Sequence, residues 1–494
     1  MANRREFLKA GAAALTAAAT RPLFGWQGAN NRVRMGVIGM GVRSARVFDS
    51  LTRYQDCQFV MGCEVNDLKL QGANGVGGFQ APNRPLAKIP VVKDYRKVLD
   101  DKSIDAVLIA TPDFSHAKIT ADALAAGKHV YVEKPISNSV PRINMMLDAY
   151  NKYPNLVVQV GTHQRSWDHF IEAKKVLDEK LDPVTHILIQ QPGAYSVNKQ
   201  DPVAVPSTLD WDAWQVDAPK KAFKQGYLGF RGWWEYGSGL VGDWGAHHVD
   251  VANWFMNADT KAPLKTSAVG FYSNPNIDPE CVYNTFSIAW QYDTHIVTFA
   301  NSVYPRPNFA DPKAPDIEGW GVFFYAGNGT LQVNRMGYAL RPPVQPTRNR
   351  VGPEAPPGAG NVQLGTAPAG APPAGAPAAG GAPGAEGGRG GRGGRGATGT
   401  GAPPAGGGFG RGGGGKPPVD LVVNINPRGA VEEDYPLHAH TRNFLDCLKA
   451  KDRKTNAPLE IGYNSALPCL LALEAMQQNR ILSWDATARK SKQI

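Results

Sequence analysis

Between residues 33 and 160 the apolar positions fall in short, largely unbroken runs at 35–38, 58–63, 106–110, 128–132 and 156–160. A strand buried on both faces has no polar side to alternate with, and the helical spacing between runs, as from His116 to Ala126, supplies the crossovers. The alternation predicts a parallel, doubly wound sheet whose strand ends line one crevice. From residue 163 onward the pattern changes. Strands are expected at 184–190, 285–291 and 296–301, and a hairpin at 321–333 around the turn Gly327-Asn328-Gly329. These predict a second, α+β domain built on an open, mostly antiparallel sheet.

Two segments lie outside this pattern. Residues 1–25 carry Arg4-Arg5, then Phe7-Leu8-Lys9 and an Ala-rich, weakly apolar run, the layout of a twin-arginine secretory signal. Elsewhere no run approaches ~20 consecutive apolar residues. The expectation is a soluble mature protein, periplasmic or otherwise exported, that meets the twin-arginine export machinery and has no membrane contact once the signal is removed. Residues 345–418 are almost wholly Ala, Gly and Pro and include GGRGGRGGRG at 387–396. Such a composition buries too little apolar surface to offset chain entropy, which predicts a disordered insertion. The expected domains are the signal at 1–25, a dinucleotide-binding domain at 32–162, an α+β substrate and oligomerisation domain at 163–344, the insertion at 345–418, and completion of the C-terminal domain at 419–494.

The formal charge of +10 follows the same division. Residues 1–25 hold four bases and one acid, and residues 345–418 seven bases and two acids, leaving only +2 on the rest. The folded body is near neutral; the RGG-like repeat could bind nucleic acid, but it has one aromatic, Phe409, and a protein sent out of the cytoplasm meets little RNA, so no nucleic-acid partner is expected. The five cysteines, Cys57, Cys63, Cys281, Cys447 and Cys469, show neither a CxxC pair nor ligand spacing.

The first apolar run leads into Gly39-Met40-Gly41-Val42-Arg43-Ser44, a glycine turn between strand and helix. That is the context of the dinucleotide fingerprint: Gly39 permits the tight turn, and Gly41 lets the backbone approach a pyrophosphate on the helix N-terminus. Ser44 stands where the fingerprint has a third glycine. The next run ends at Glu64, placed to accept the adenosine ribose hydroxyls and to repel a 2′-phosphate, which favours NAD over NADP. Later strand ends bring Thr111, Pro112, Asp113 and His116, then Glu133 and Lys134, to the same crevice. With Val42 and Arg43 these complete the expected cofactor contacts. Pro135 holds the residue before it extended and so aims Lys134.

The blocks VIGMGVRS, IATPDFSHA, VEKPIS and FRGWWEYGSGLVGDWGAHHVDVANWF occur in that order. Together they resemble the Gfo/Idh/MocA family of sugar and polyol oxidoreductases, and the closing segment resembles an often exported bacterial branch of it. The resemblance implies a Rossmann NAD-binding domain, an α+β domain and a small carbohydrate substrate. It also implies a homo-oligomer that pairs through the open sheet. The family's catalytic lysine matches Lys134, and its aspartate and histidine four residues apart match Asp243 and His247.

Within GDWGAHHVD, three readings compete. If the stretch opens a helix, Asp243 and His247 share a face at i and i+4 and can act as a proton relay, with His248 pointing about 100° away. A metal site needs a third converging ligand, for which Asp250 is the candidate. Asp243 can also simply cap a helix. The relay is the expectation, with no metal: His247 as base for the hydroxyl proton, Asp243 orienting it or bonding substrate, and Lys134 stabilising the alkoxide. His163, Arg165, Trp233 and His248 are the candidate substrate contacts, against ordinary core packing for at least half of Trp211, Trp214, Trp233 and Trp234. Export leaves three functions open: a dehydrogenase with tightly held NAD, a glycoside-processing enzyme that recycles it, and a carbohydrate-binding protein. The catalytic set argues against the last.

Overall fold

The computed structural model describes residues 32–70, 89–301, 319–343, 416, 419–420, 422–425 and 435–494. The expected signal at 1–25 lies outside the described residues, as does the expected insertion at 345–418 apart from Lys416. Among the described residues no helix is long and apolar enough to cross a membrane.

Six parallel strands, β1 (Val33–Ile38), β2 (Cys57–Cys63), β3 (Val91–Val92), β4 (Ala106–Ile109), β5 (His129–Val132) and β6 (Val158–Val160), form a sheet in the order β3-β2-β1-β4-β5-β6. All four residues of β4 are buried, which is why its sequence shows no polar alternation. The helices α1 (Val42–Thr52), α2 (Tyr95–Asp100), α3 (Asp113–Ala125) and α4 (Val140–Lys152) connect these strands. The order reverses between β1 and β4, so the crevice between their carboxyl ends is the ligand position of this topology.

After α5 (Asp168–Lys180) the chain builds a ten-stranded sheet from β7 (His186–Gln190), β8 (Lys265–Phe271), β9 (Thr285–Gln291), β10 (Ile296–Ala300), β11 (Gly321–Ala326), β12 (Gly329–Asn334), β13 (Gly337–Arg341), β14 (Val422–Ile425), β15 (Leu482–Asp485) and β16 (Lys490–Gln493). Its order is β14-β13-β12-β11-β7-β10-β9-β8-β15-β16, antiparallel throughout except where β7 meets β10. Along β9, Phe286, Ile288 and Trp290 turn inward while Ser287 and Gln291 face out, the period-two pattern of a sheet covered on one side.

Two short helices, α6 (Gly239–Asp243) and α7 (Gly245–Phe255), precede β8, and α8 (Tyr435–Ala450) and α9 (Leu459–Gln478) follow β14. The helix α9 carries Pro468 in its interior, which leaves the carbonyl of Asn464 without its helical donor. Asn253 of α7 donates to that carbonyl at 3.1 Å, and Trp290 of β9 donates to the Pro468 carbonyl at 2.8 Å, so the proline is fixed between helix and sheet. The helix α8, by contrast, packs on the first domain. Leu437, Phe444, Leu445 and Leu448 join the apolar cluster of Met35, Val37, Phe48 and Leu51, and Arg442 pairs with Asp56 at 2.9 Å. The stretch expected to complete the second domain therefore divides between the two.

Candidate active site

Gly39, after β1, has φ of +82°, and a Cβ there would lie 2.9 Å from the Ala110 backbone, so the turn accepts only glycine. Gly41 caps α1 without any side-chain bond to the first-turn amides, and a Cβ on it would meet nothing within 4 Å. Orphan amides on an eleven-residue helix with open space before them suit a pyrophosphate. Ser44 is fully buried, serving the close packing for which the fingerprint uses glycine.

A cleft of about 830 Å³ opens here. Gly39, Gly41, Val42, Arg43, Glu64, Thr111, Pro112, Asp113, His116, Glu133 and Lys134 all line it. Glu64 is buried at the end of β2, and its two carboxylate oxygens accept from the amides of Met40 at 2.7 Å and Asn66 at 2.8 Å. Burial pushes its pKa up against the pull of those amides. Each oxygen keeps a second lone pair, which is the capacity a ribose diol requires. Arg43 reaches across the cleft to Glu133 at 2.8 Å, joining the phosphate turn to the loop that carries Lys134. His116 has a ring nitrogen 2.8 Å from each of the Thr111 and Pro135 carbonyls, so it ties together the loops after β4 and β5.

Lys134 stands at the cleft wall with its ammonium 2.7 Å from Asp243 Oδ1 and 3.0 Å from the Asp243 carbonyl. The other carboxylate oxygen accepts from the Tyr195 hydroxyl at 2.5 Å and lies 3.4 Å from Arg231 Nε. Burial alone would raise the Asp243 pKa; Lys134 and Arg231, with these bonds, outweigh it and hold the carboxyl well below its usual range. Asp113, beside the same groups, is pushed up to about 7, chiefly by burial, with Arg231 opposing and Asp243 adding to the rise. Two carboxyls in one pocket are thus driven apart in acidity.

Asp243 and His247 do not form the expected orienting pair. Trp244, with helical dihedrals, joins α6 to α7; Asp243 at the end of α6 bonds Lys134, while His247 in the first turn of α7 bonds Arg335. The Arg335 guanidinium lies 3.1 Å from His247 Nε2 and 4.8 Å from the Trp244 ring. His247 is 4% exposed, and burial first, then Lys134 and Arg335, lower its pKa well below the ordinary histidine value. A guanidinium only donates, so Nε2 keeps its lone pair and the proton sits on Nδ1. The His163 ring is centred 5.8 Å from that of His247 and shares the same cationic field.

Other expected substrate contacts have structural roles. Arg165 is buried with both faces of its guanidinium committed, to Asp250 at 2.9 Å and Asp259 at 2.6 Å, and it packs over Trp254. Asp250 also accepts from Ser465 at 2.7 Å, so the third ligand that a metal would have needed is taken. Among the described residues no three His, Cys, Asp or Glu side chains converge as a metal site. Trp233 is 1% exposed, donates to the Gly226 carbonyl at 2.8 Å and packs in a cluster with Trp211, Trp214 and Tyr227. His248 stacks on Trp244 and bonds Gln191 at 2.9 Å; burial and Arg335 bring its pKa down to about 3. Sequence reasoning missed Tyr195, Arg231 and Arg335, the groups that meet Asp243 and His247 here.

Comparison with known proteins gives the same organisation. Residues 33–162 match the Gfo/Idh/MocA model for the NAD-binding Rossmann fold of an oxidoreductase family, and residues 193–310 match that family's C-terminal alpha/beta domain. Inositol 2-dehydrogenase of Klebsiella pneumoniae is 29% identical over 148 residues, 30% of this chain and 42% of that protein. Levoglucosan dehydrogenase of Pseudarthrobacter phenanthrenivorans is 32% identical over 164 residues, 33% of this chain and 36% of that protein. The matches thus span less than half the length of these relatives. The crystal structure of myo-inositol 2-dehydrogenase from Lactobacillus plantarum superposes with a TM-score of 0.52 at 14% identity, over 92% of this chain and 99% of that one. The chain belongs to the Gfo/Idh/MocA oxidoreductase family, and its N-terminal domain is that family's NAD-binding Rossmann fold.

Proposed function

We propose that the protein oxidises a secondary alcohol of a sugar, polyol or glycoside, using NAD held in the cleft. Bound NAD supplies the hydride acceptor. Gly39, Gly41 and the first turn of α1 hold its pyrophosphate, and Glu64 its adenosine ribose. The observation that carries the reading is the Lys134 ammonium at the cleft wall, anchored by two bonds to Asp243. Its third proton is available to the substrate oxygen, where negative charge develops as the carbinol is oxidised. His247, neutral with a lone pair on Nε2, takes the hydroxyl proton. Tyr195 and Arg231 keep Asp243 ionised and so keep Lys134 in place. The names of the two curated relatives, an inositol and a levoglucosan dehydrogenase, accord with a ring-borne alcohol.

The same proposal covers export and assembly. A protein exported folded carries its NAD out with it, and the hydride must then return to a second carbonyl compound in place. The outer face of the ten-stranded sheet exposes Val269, Phe271 and Ile296, which supports pairing with a second copy. The test is single-turnover reduction of bound NAD under candidate sugars and polyols, with Lys134→Ala and His247→Ala beside the parent. Each variant should keep its cofactor and lose about 10²-fold in rate. Near-parental rates in both refute the assignment, and a cofactor assay on exported protein that finds no NAD refutes the retained-cofactor part.

A further inference from the structure

We propose that residues 208–217 of the second domain form a strap across the cofactor cleft, and that this strap gates the exchange of NAD. The inference rests on the NAD-dependent reading above and adds to it how the cofactor is kept.

The strap lies on the long excursion between β7 and α6 and is tied to both banks of the cleft. On the bank at the end of β2, the Asp67 amide donates to the Thr208 carbonyl at 2.9 Å and the Asp210 amide to the Val65 carbonyl at 3.0 Å, an antiparallel bridge that pairs Asn66 with Leu209. The Asn66 amide also donates to Glu64, so one short stretch of chain carries both the ribose acid and the strap. On the opposite bank, after β4, Trp214 packs against Phe114 of α3 with ring centroids 5.3 Å apart. Arg142 of α4 donates to Asp217 at 2.7 Å and to the Phe114 carbonyl at 2.9 Å. The strands β2 and β4 flank β1 on its two sides, so a chain anchored beyond both crosses the crevice at the switch point.

The strap is braced from behind. Asp210 caps the turn Trp211–Trp214 by accepting from the Ala213 amide at 2.9 Å, Trp211 stacks on Trp214 with centroids 4.7 Å apart, and its indole donates to the Lys221 carbonyl at 2.7 Å. Both indoles are buried in the cluster of Phe223, Tyr227 and Tyr236. In front, Asp210, Ala213, Trp214 and Val216 line the same cleft as Gly41 and Glu64. Val216 is held there at φ of +47°, a conformation rare for a β-branched residue. Such strain persists only where the surroundings fix the backbone, and it gathers at ligand clamps. Glu64 and Lys134, the two ends proposed for the cofactor, also lie on opposite sides of β1, so NAD held by both passes under the strap and exchanges only when one bank lets go. The anchors join protein to protein, so they set the rates of loading and release together.

The test follows release of NADH from the full-length, NADH-loaded protein by its fluorescence, under a chase of excess NAD. Arg142→Met removes an anchor that lies outside the cleft and should speed release about tenfold, the factor of one charged hydrogen bond, with Kd kept within about threefold. Asn66→Cys with Leu209→Cys places two thiols on a narrow antiparallel pair, whose Cα atoms stand about 4.5 Å apart, within reach of a disulfide. Oxidation of that variant should slow release at least about tenfold, and dithiothreitol should restore it in the same sample. Release indifferent to both changes overturns the proposal. So does faster release from Arg142→Met that is matched by an equal loss of affinity with loading unchanged, since the arginine then holds the cofactor and gates nothing. If the cysteine pair disturbs the fold, Arg142→Met decides alone. Gated release from a protein whose bound NAD no sugar or polyol reduces keeps the strap and overturns the oxidoreductase reading instead.

Discussion

Replacing Arg165 by Met separates a structural role from a substrate-binding one. The sequence offered Arg165 as a substrate contact, but its guanidinium is bound to Asp250 at 2.9 Å and to Asp259 at 2.6 Å. The Asp250 side chain is 1% exposed and would keep only the Ser465 hydroxyl at 2.7 Å. Breaking a buried pair by removing one partner costs about 3–5 kcal/mol, and Asp259, 29% exposed, adds little because water reaches it. At about 2 °C per kcal/mol, the melting temperature should fall by about 6–10 °C. Burial already raises the Asp250 pKa against the pull of Arg165. Without Arg165 it rises further. A carboxyl whose folded pKa lies above its unfolded one loses stability as pH rises between the two, so the deficit of the variant should be larger at pH 8 than at pH 5. Adding Asp250→Asn should recover most of the loss and flatten its pH dependence. The assay is urea unfolding at both pH values, with kcat and KM measured on the folded fraction. An unchanged melting temperature with a raised KM would refute this account and restore Arg165 to the substrate site.

The other predictions follow from single groups. Asp113→Asn should stabilise the protein relative to the parent at pH 8 and not at pH 4, because a carboxyl pushed up to about 7 has its stability fully present below its unfolded pKa and lost as pH rises through 7. Thermal melts at both pH values check this. Glu64→Ser should remove most of a preference for NAD over NADP of about 10²-fold, read by titrating stripped protein with each cofactor. Gly39→Ala should cost about 1–3 kcal/mol and weaken NAD binding, since φ of +82° and the Ala110 backbone 2.9 Å away leave a methyl no room; urea unfolding and NAD titration measure the two effects.

The two sheets were legible because burial writes itself into spacing. Continuous apolar runs marked β1, β2 and β4 as central parallel strands, and the period-two pattern of β9 marked a sheet wetted on one face. Strand ends in a doubly wound sheet converge by topology alone. Hence Glu64, Asp113 and Lys134 could be assigned to one crevice without knowing a single contact. The path of α8 was not legible: its apolar face fits either domain, and only Ser50, Asp56 and the cluster around Phe48 decide for the first.

The electrostatics of the site lay beyond the sequence for a different reason. A spacing of four residues puts Asp243 and His247 on neighbouring turns, and Trp244 between α6 and α7 keeps helical dihedrals, so it is the choice of partner and not the spacing that parts them. Each side chain then takes the strongest partner within reach. For Asp243 these are Lys134, 109 residues away along the chain, and Tyr195, 48 residues away; for His247 it is Arg335, 88 residues away. No local pattern reports such pairings. Their effect is to divide the work that the relay had assigned to one dyad. Asp243, kept ionised by Lys134 and Arg231, holds the ammonium, while His247, kept neutral by burial and by the cations around it, bonds Arg335 instead. An aspartate bonded directly to His247 would have raised its pKa and, on the function proposed above, filled it with the proton that it is to take from substrate. The separation therefore suits the proposed oxidation better than the pair that the spacing suggested.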